Sequence, residues 1–198
     1  MGYIWATNFD TNNTVRIQET LELTSFFLGS EIANYQLFDR LRFVSTMDML
    51  TGVCNRNEMN DRVTQLSVDN NPNRKNIGII FADLNGLKKV NDKDGHSAGD
   101  LLIKNAAAML KEVFTDSEIF RAGGDEFMVL MRDTNEQKLE ELVAELKKRT
   151  QEDKTVNFAV GYTLEEDCTN IHKAMKDADL RMYEDKNKFY EQFPELKR

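Results

Sequence analysis

The seven residues Arg121-Ala122-Gly123-Gly124-Asp125-Glu126-Phe127 constrain the fold of this chain more than any other stretch. Apolar runs flank them, Ile119-Phe120 before and Phe127-Met128-Val129-Leu130-Met131 after. Two glycines between β-type runs predict a tight hairpin, because glycine alone takes positive φ without steric cost. An antiparallel strand pair must therefore sit in the core. Two carboxylates follow the glycines at once. They are poor strand formers and repel each other. A solvated turn accommodates them, and so does a divalent cation that neutralises them.

Around this hairpin the pattern alternates. Residues 55–68 predict a helix, and Ile77-Gly78-Ile79-Ile80-Phe81-Ala82 a buried strand that ends at Asp83. Residues 97–114, rich in Ala, Leu and Met, predict a helix; so do residues 136–150. A strand over 155–162 and a last helix over 170–192 follow. The order is α-β-α-β-β-α-β-α. It contains a β-α-β-β-α-β core, so the expected fold class is α+β and ferredoxin-like, with a sheet of four or five strands.

Ahead of this core, residues 17–47 hold no proline and one glycine, Gly29, and read as one long helix. A seam of alternating four-three spacing runs through Leu23, Phe27, Ser30, Asn34, Leu37, Leu41 and Val44. That is the spacing of a coiled-coil interface, and a polar Asn34 in the seam suits register-fixing in a dimer. A second apolar line, Leu21, Leu28, Ile32 and Tyr35, suits packing within one chain instead. Residues 1–16, with a strand-like Tyr3-Ile4-Trp5-Ala6, are too few to fold alone and read as the end of an upstream domain.

Composition excludes several function classes. With 40% hydrophobic and 30% charged residues, a packed core is expected and wholesale disorder is not. The net charge of −8 argues against nonspecific binding to nucleic acid or anionic membrane. Cys54 and Cys168 share no metal-site spacing and form no disulfide framework, so a reducing cytoplasm is expected. No apolar run reaches membrane-spanning length, and the N-terminus has no signal-peptide pattern.

Several residues stand where chemistry is done. Asp83 lies where a buried strand opens into a loop, and faces Asp125 if their strands are neighbours. Two carboxylates and a backbone carbonyl suit Mg²⁺, which takes few protein ligands beside phosphate oxygens; a strand-end aspartate also caps turns. Lys88 and Lys89 fit a phosphate site at a helix start, or a plain exposed pair. The run Asn91-Asp92-Lys93-Asp94-Gly95-His96 fails as a calcium loop, because its first ligand would be Val90 and its closing glutamate Leu101. Ser97-Ala98-Gly99-Asp100 has the shape of a capping box. Its functional alternative is an Asp100 carboxylate that accepts from the N1–H and N2–H₂ of guanine, with Asn91 adding a contact. Ala178, Met182 and Lys186 share a helix line, so Lys186 either runs its stem along the core toward a site or is solvated.

Taken together these segments resemble the GGDEF family, the diguanylate cyclases. The resemblance begins at Asp48-Met49-Leu50-Thr51-Gly52-Val53-Cys54-Asn55-Arg56 and continues through Phe81-Ala82-Asp83-Leu84-Asn85, Lys88, Asn91-Asp92, Gly95-His96 and Gly99-Asp100. It includes Gly123 to Phe127 and ends in Ala178-Asp179, Met182-Tyr183 and Lys186. It implies a catalytic domain over 48–193, a signalling helix over 17–47, and over 1–16 the remnant of a sensory domain of GAF type. It implies condensation of two GTP into cyclic di-GMP and two pyrophosphates, across a homodimer held by the helix. Carried over by position, Asp83, the Leu84 carbonyl and Asp125 bind Mg²⁺, or Mn²⁺ in its place. Glu126 is a further catalytic acid at the site, for metal or proton transfer; Asn91 and Asp100 read guanine, and Lys88 and Lys186 hold phosphates. The alternative is an inactive, GTP-binding regulatory module. The chain departs from the family at Asn85, often a second aspartate, at Leu87, often Phe, and at Tyr190, often an arginine that holds phosphate. The family's inhibitory Arg-x-x-Asp would fall at Phe114-Thr115-Asp116-Ser117, and is absent.

Overall fold

The computed structural model describes residues 3–8, 12, 14–69, 75–153 and 155–194. The chain divides into two compact units, residues 1–44 and 45–198. In the first, a helix α1 (Thr14–Thr46) begins three residues earlier than expected. None of its residues is buried; Phe26, Phe27, Ile32, Tyr35, Leu37, Phe38 and Leu41 are all more than half exposed. Both apolar lines of the helix therefore face outward. Tyr3 to Ala6 form no strand, which corrects that expectation: no strand among the described residues offers them ladder partners.

The second unit carries α2 (Arg56–Ser67), β1 (Ile77–Leu84), α3 (Leu87–Asp94), α4 (His96–Val113), β2 (Glu118–Gly123), β3 (Glu126–Arg132), α5 (Glu136–Asp153), β4 (Phe158–Glu165) and α6 (Ile171–Gln192). The sheet has four strands in the order β2-β3-β1-β4, each neighbouring pair antiparallel. This is the expected ferredoxin-like arrangement, with β1 and β3 at its centre.

Strand periodicity divides the core in two. Ile80, Ala82 and Leu84 of β1, with Phe127, Val129 and Met131 of β3, pack on α4 and α5. Ile77 and Ile79, with Met128 and Leu130, pack on α2 and α6. Asp83 is in phase with the second set, so it faces the α6 side.

Three local expectations need correction. The hairpin turn is Gly124-Asp125, with Gly123 still in β2 and a register shift between Arg121 and Gly123. Neither glycine has positive φ; among the described glycines Gly52, Gly86 and Gly95 do. A bulge, not two left-handed residues, reconciles the turn with the strand twist. The expected capping box is not formed: α4 begins at His96, its cap residue is Gly95 at φ 82°, and Ser97 lies inside the first turn. A separate short helix, α3, precedes it, and Gly95 makes the break between the two.

Candidate active site

The site collects at the C-terminal end of β1. Asp83 is 2% exposed, and directly across the ladder from it stands Glu126. The expected opposition of Asp83 and Asp125 is thus shifted by one residue, since Asp125 belongs to the turn. Asp125 still reaches the same place, because the Leu84 N–H donates to the Asp125 carbonyl at 2.9 Å. That bond ties the tip of the β2–β3 hairpin to the end of β1.

From the other side, Lys186 of α6 donates to Asp83 Oδ2 at 2.7 Å across 103 positions of sequence. Its stem follows Ala178 and Met182, both buried, as the helix line predicted. What puts α6 so close is Gly161 on β4. A Cβ there would lie 2.1 Å from both the Ala178 carbonyl oxygen and the Met182 nitrogen, so only glycine lets the helix backbone rest on the strand. Side chains then fix the helix: Asp185 accepts from the Val160 N–H at 2.9 Å and from Lys147, and Arg181 donates to the Tyr162 carbonyl at 2.7 Å. They occupy the free edge of β4, which would otherwise be open to another strand.

Burial pushes the Asp83 carboxyl above its usual range, against the hydrogen bond and charge of Lys186; the charges of Asp125 and Glu126 push it further up. Asp83 Oδ1 is buried without a hydrogen-bond partner. An orphaned carboxylate oxygen beside two more acids suits a hard cation with oxygen ligands. Among the described residues no three His, Cys, Asp or Glu side chains form a ready-made metal cluster. The donor set therefore fits a cation that brings other oxygens with it. A cleft of about 410 Å³ opens beside these groups, lined also by Lys176, Asp179 and Tyr183.

The remaining expected residues lie on α3 and α4. Asn91 packs on Gly99, where a Cβ would fall 1.9 Å from its Oδ1. This close contact sets Asn91 beside Asp100, which is exposed and makes no side-chain hydrogen bond among the described residues. With the capping box gone, its carboxylate has no structural task that competes with a ligand. Lys88 stands exposed on α3 and pairs with no carboxylate among the described residues.

Sequence reasoning missed the clamp that holds the hairpin. Arg121 donates from Nη1 to both oxygens of Asp48, at 3.1 and 3.2 Å, and from Nε and Nη2 to the Gly124 carbonyl, at 3.1 and 2.7 Å. A planar guanidinium suits such a double task. Burial pulls the Asp48 carboxyl up, but the hydrogen bonds from the Thr51 hydroxyl and N–H and from Arg121, with the Arg121 charge, hold it below the usual value. Arg121 opens the hairpin stretch, and Asp48 opens the first stretch of the family resemblance. Their opposite charges were the available signal; their pairing depends on the fold.

A sequence model described as "Diguanylate cyclase, GGDEF domain" matches residues 45–192. This chain belongs to the GGDEF family. It is 37% identical over 109 residues to the Escherichia coli protein named cyclic di-GMP phosphodiesterase PdeR, covering 54% of this chain and 16% of that one. It is 27% identical over 157 residues to an uncharacterised membrane protein of Staphylococcus epidermidis, covering 73% and 44%. The chain thus spans less than half the length of these relatives. Among solved structures, the coiled coil and GGDEF domain of DgcB from Caulobacter crescentus, in complex with c-di-GMP, superposes with a TM-score of 0.75 at 20% identity, covering 85% of this chain and 95% of that one. Among the described residues no helix is long and apolar enough to cross a membrane.

Proposed function

We propose that this GGDEF domain is a diguanylate cyclase that condenses two GTP into cyclic di-GMP and two pyrophosphates. The observation that carries the reading is the buried Asp83, paired with Lys186, opposite Glu126, and tied through Leu84 to Asp125. Mg²⁺, or Mn²⁺, held by Asp83, the Leu84 carbonyl and Asp125, would supply charge neutralisation at the triphosphate. Asp100 and Asn91 take the guanine. Lys88 and Lys186 hold phosphates, which requires Lys186 to exchange its contact with Asp83 for the nucleotide. Two domains meet with one GTP each. The 3′-oxygen of each bonds to the α-phosphorus of the other, the bond from that phosphorus to the oxygen bridging to the β-phosphate breaks, and one pyrophosphate leaves at each of the two steps. Glu126 would take the 3′-hydroxyl proton or add a ligand to the metal. Positioning does most of the work. The outward apolar lines of α1 would hold the homodimer, residues 1–16 would be the tail of a sensory domain of GAF type, and the domain would work in the cytoplasm.

Incubation with GTP and Mg²⁺, followed by mass analysis, tests the reading. Cyclic di-GMP and pyrophosphate in a ratio of one to two are expected. GTP that binds and is recovered unchanged would favour an inactive regulatory module. One observation supports that second reading: a relative is named as a phosphodiesterase.

A further inference from the structure

A second cleft, also of about 410 Å³, lies at the same end of the sheet but on the far side of α3. Asn85, Lys89, Lys93, Asn157, Phe189 and Phe193 line it. It shares no lining residue with the cleft beside Asp83. The helical wheel separates the two. At about 100° per residue, Lys89 and Lys93 lie within about 40° of each other, whereas Lys88 and Asn91 lie on the opposite half of α3. The residues carried over for GTP thus point to one side and this lysine pair to the other.

Three features make the cleft a built site. Phe189 and Phe193, one turn apart at the end of α6, hold their ring centroids 5.0 Å apart at 40°, with Phe193 43% exposed. They form an aromatic wall that a planar ring can stack on. Lys89 and Lys93 are exposed and pair with no carboxylate among the described residues. Asn85 is 6% exposed; it donates from Nδ2 to Asn157 Oδ1 at 2.8 Å, while its own Oδ1 is buried without a partner. A buried acceptor left unpaired calls for a donor from a ligand or from a water that a ligand traps.

We propose that this cleft binds a mononucleotide-sized aromatic anion, with its base on Phe189 and Phe193 and its phosphate on Lys89 and Lys93. Asp94 on the same rim limits the charge the two lysines offer, which suits one phosphate group better than three. The volume lies near the lower end of small-molecule pockets, which suits a mononucleotide better than a dinucleotide. The site is independent of the cyclase reading: it stands or falls by binding, whether or not the domain turns over GTP.

Calorimetric titration of the full chain with AMP tests it. AMP is chosen because a guanine-reading Asp100 would not retain it. Saturable binding is expected, weakened at least about tenfold in a Lys89→Glu, Lys93→Glu double variant and several-fold in Phe193→Ala, and unchanged in Asp100→Ala. All three substituted positions of the first two variants are exposed, so folding is preserved, as thermal melts will verify. No saturable heat with millimolar AMP would overturn the proposal. So would binding that survives the double lysine change, binding lost in Asp100→Ala, or inorganic phosphate binding as tightly as AMP.

Discussion

At the scale of single residues, Asp83 shows how a site is held at the expense of stability. Its carboxylate is buried, pushed up by desolvation, and crowded by Asp125 and Glu126. Asp83→Asn removes that burden, so this variant is expected to melt at or above the parent temperature while losing cyclic di-GMP formation by roughly 10²-fold or more. A melting temperature well below the parent would show that the Lys186 pair stabilises the fold. Asp125 is different: it is a half-buried turn residue with no side-chain hydrogen bond among the described residues. Asp125→Ala should melt like the parent and lose turnover to a similar extent, and near-parental product formation would remove it from the site. Asp48 has the opposite sign to Asp83. Its folded pKa lies below the unfolded one, so its contribution is full above the usual value of 3.8 and is lost as pH falls through the depressed folded value. Urea unfolding at pH 7 should show the parent more stable than Asp48→Asn, with the gap closing below about pH 3.8.

At the scale of elements, α6 is seated by one glycine. A Cβ at Gly161 meets helix backbone, which cannot give way, whereas one at Gly78 meets the tip of Leu139 at 2.1 Å and the methyl of Thr134 at 3.0 Å, both side chains. Gly161→Ala should therefore cost more than Gly78→Ala, on the order of 2–3 kcal/mol by denaturant unfolding, and should reduce turnover by lifting Lys186 off Asp83. Equal costs would show that α6 slides without penalty. The existence of α6, and the side of it that meets the core, were legible in the spacing of Ala178 and Met182. The role of Gly161 was not, because close approach is a property of two elements and sequence spacing describes one. The start of α4 shows a related limit: Ser97 and Asp100 have capping-box spacing, but Gly95 ends α3 so close by that α4 starts before Ser97 can cap it.

At the scale of the whole molecule, the proposed reaction would need two nucleotide-loaded domains, and α1 offers exposed apolar lines that would join them. Specific activity should fall on dilution, and sedimentation should find Leu37→Glu, Leu41→Glu protein monomeric; an undiminished dimer would move the interface elsewhere. Product control should also be atypical, since Phe114 stands where the family's inhibitory arginine would be and is 1% exposed in the core. Calorimetry with cyclic di-GMP should show no submicromolar binding that survives Asp100→Ala. The sequence by itself determined the α+β order, the strand that ends at Asp83, the hairpin that carries Asp125 and Glu126, and the family. These follow from local periodicity and short motifs, which need no partner to be read. Only the tertiary structure decided that Glu126, not Asp125, lies across from Asp83, that Lys186 neutralises it, and that Arg121 clamps the turn to Asp48. A ladder register shifted by one residue changes which side chains meet, and charges 73 or 103 positions apart find each other only when packing brings their elements together.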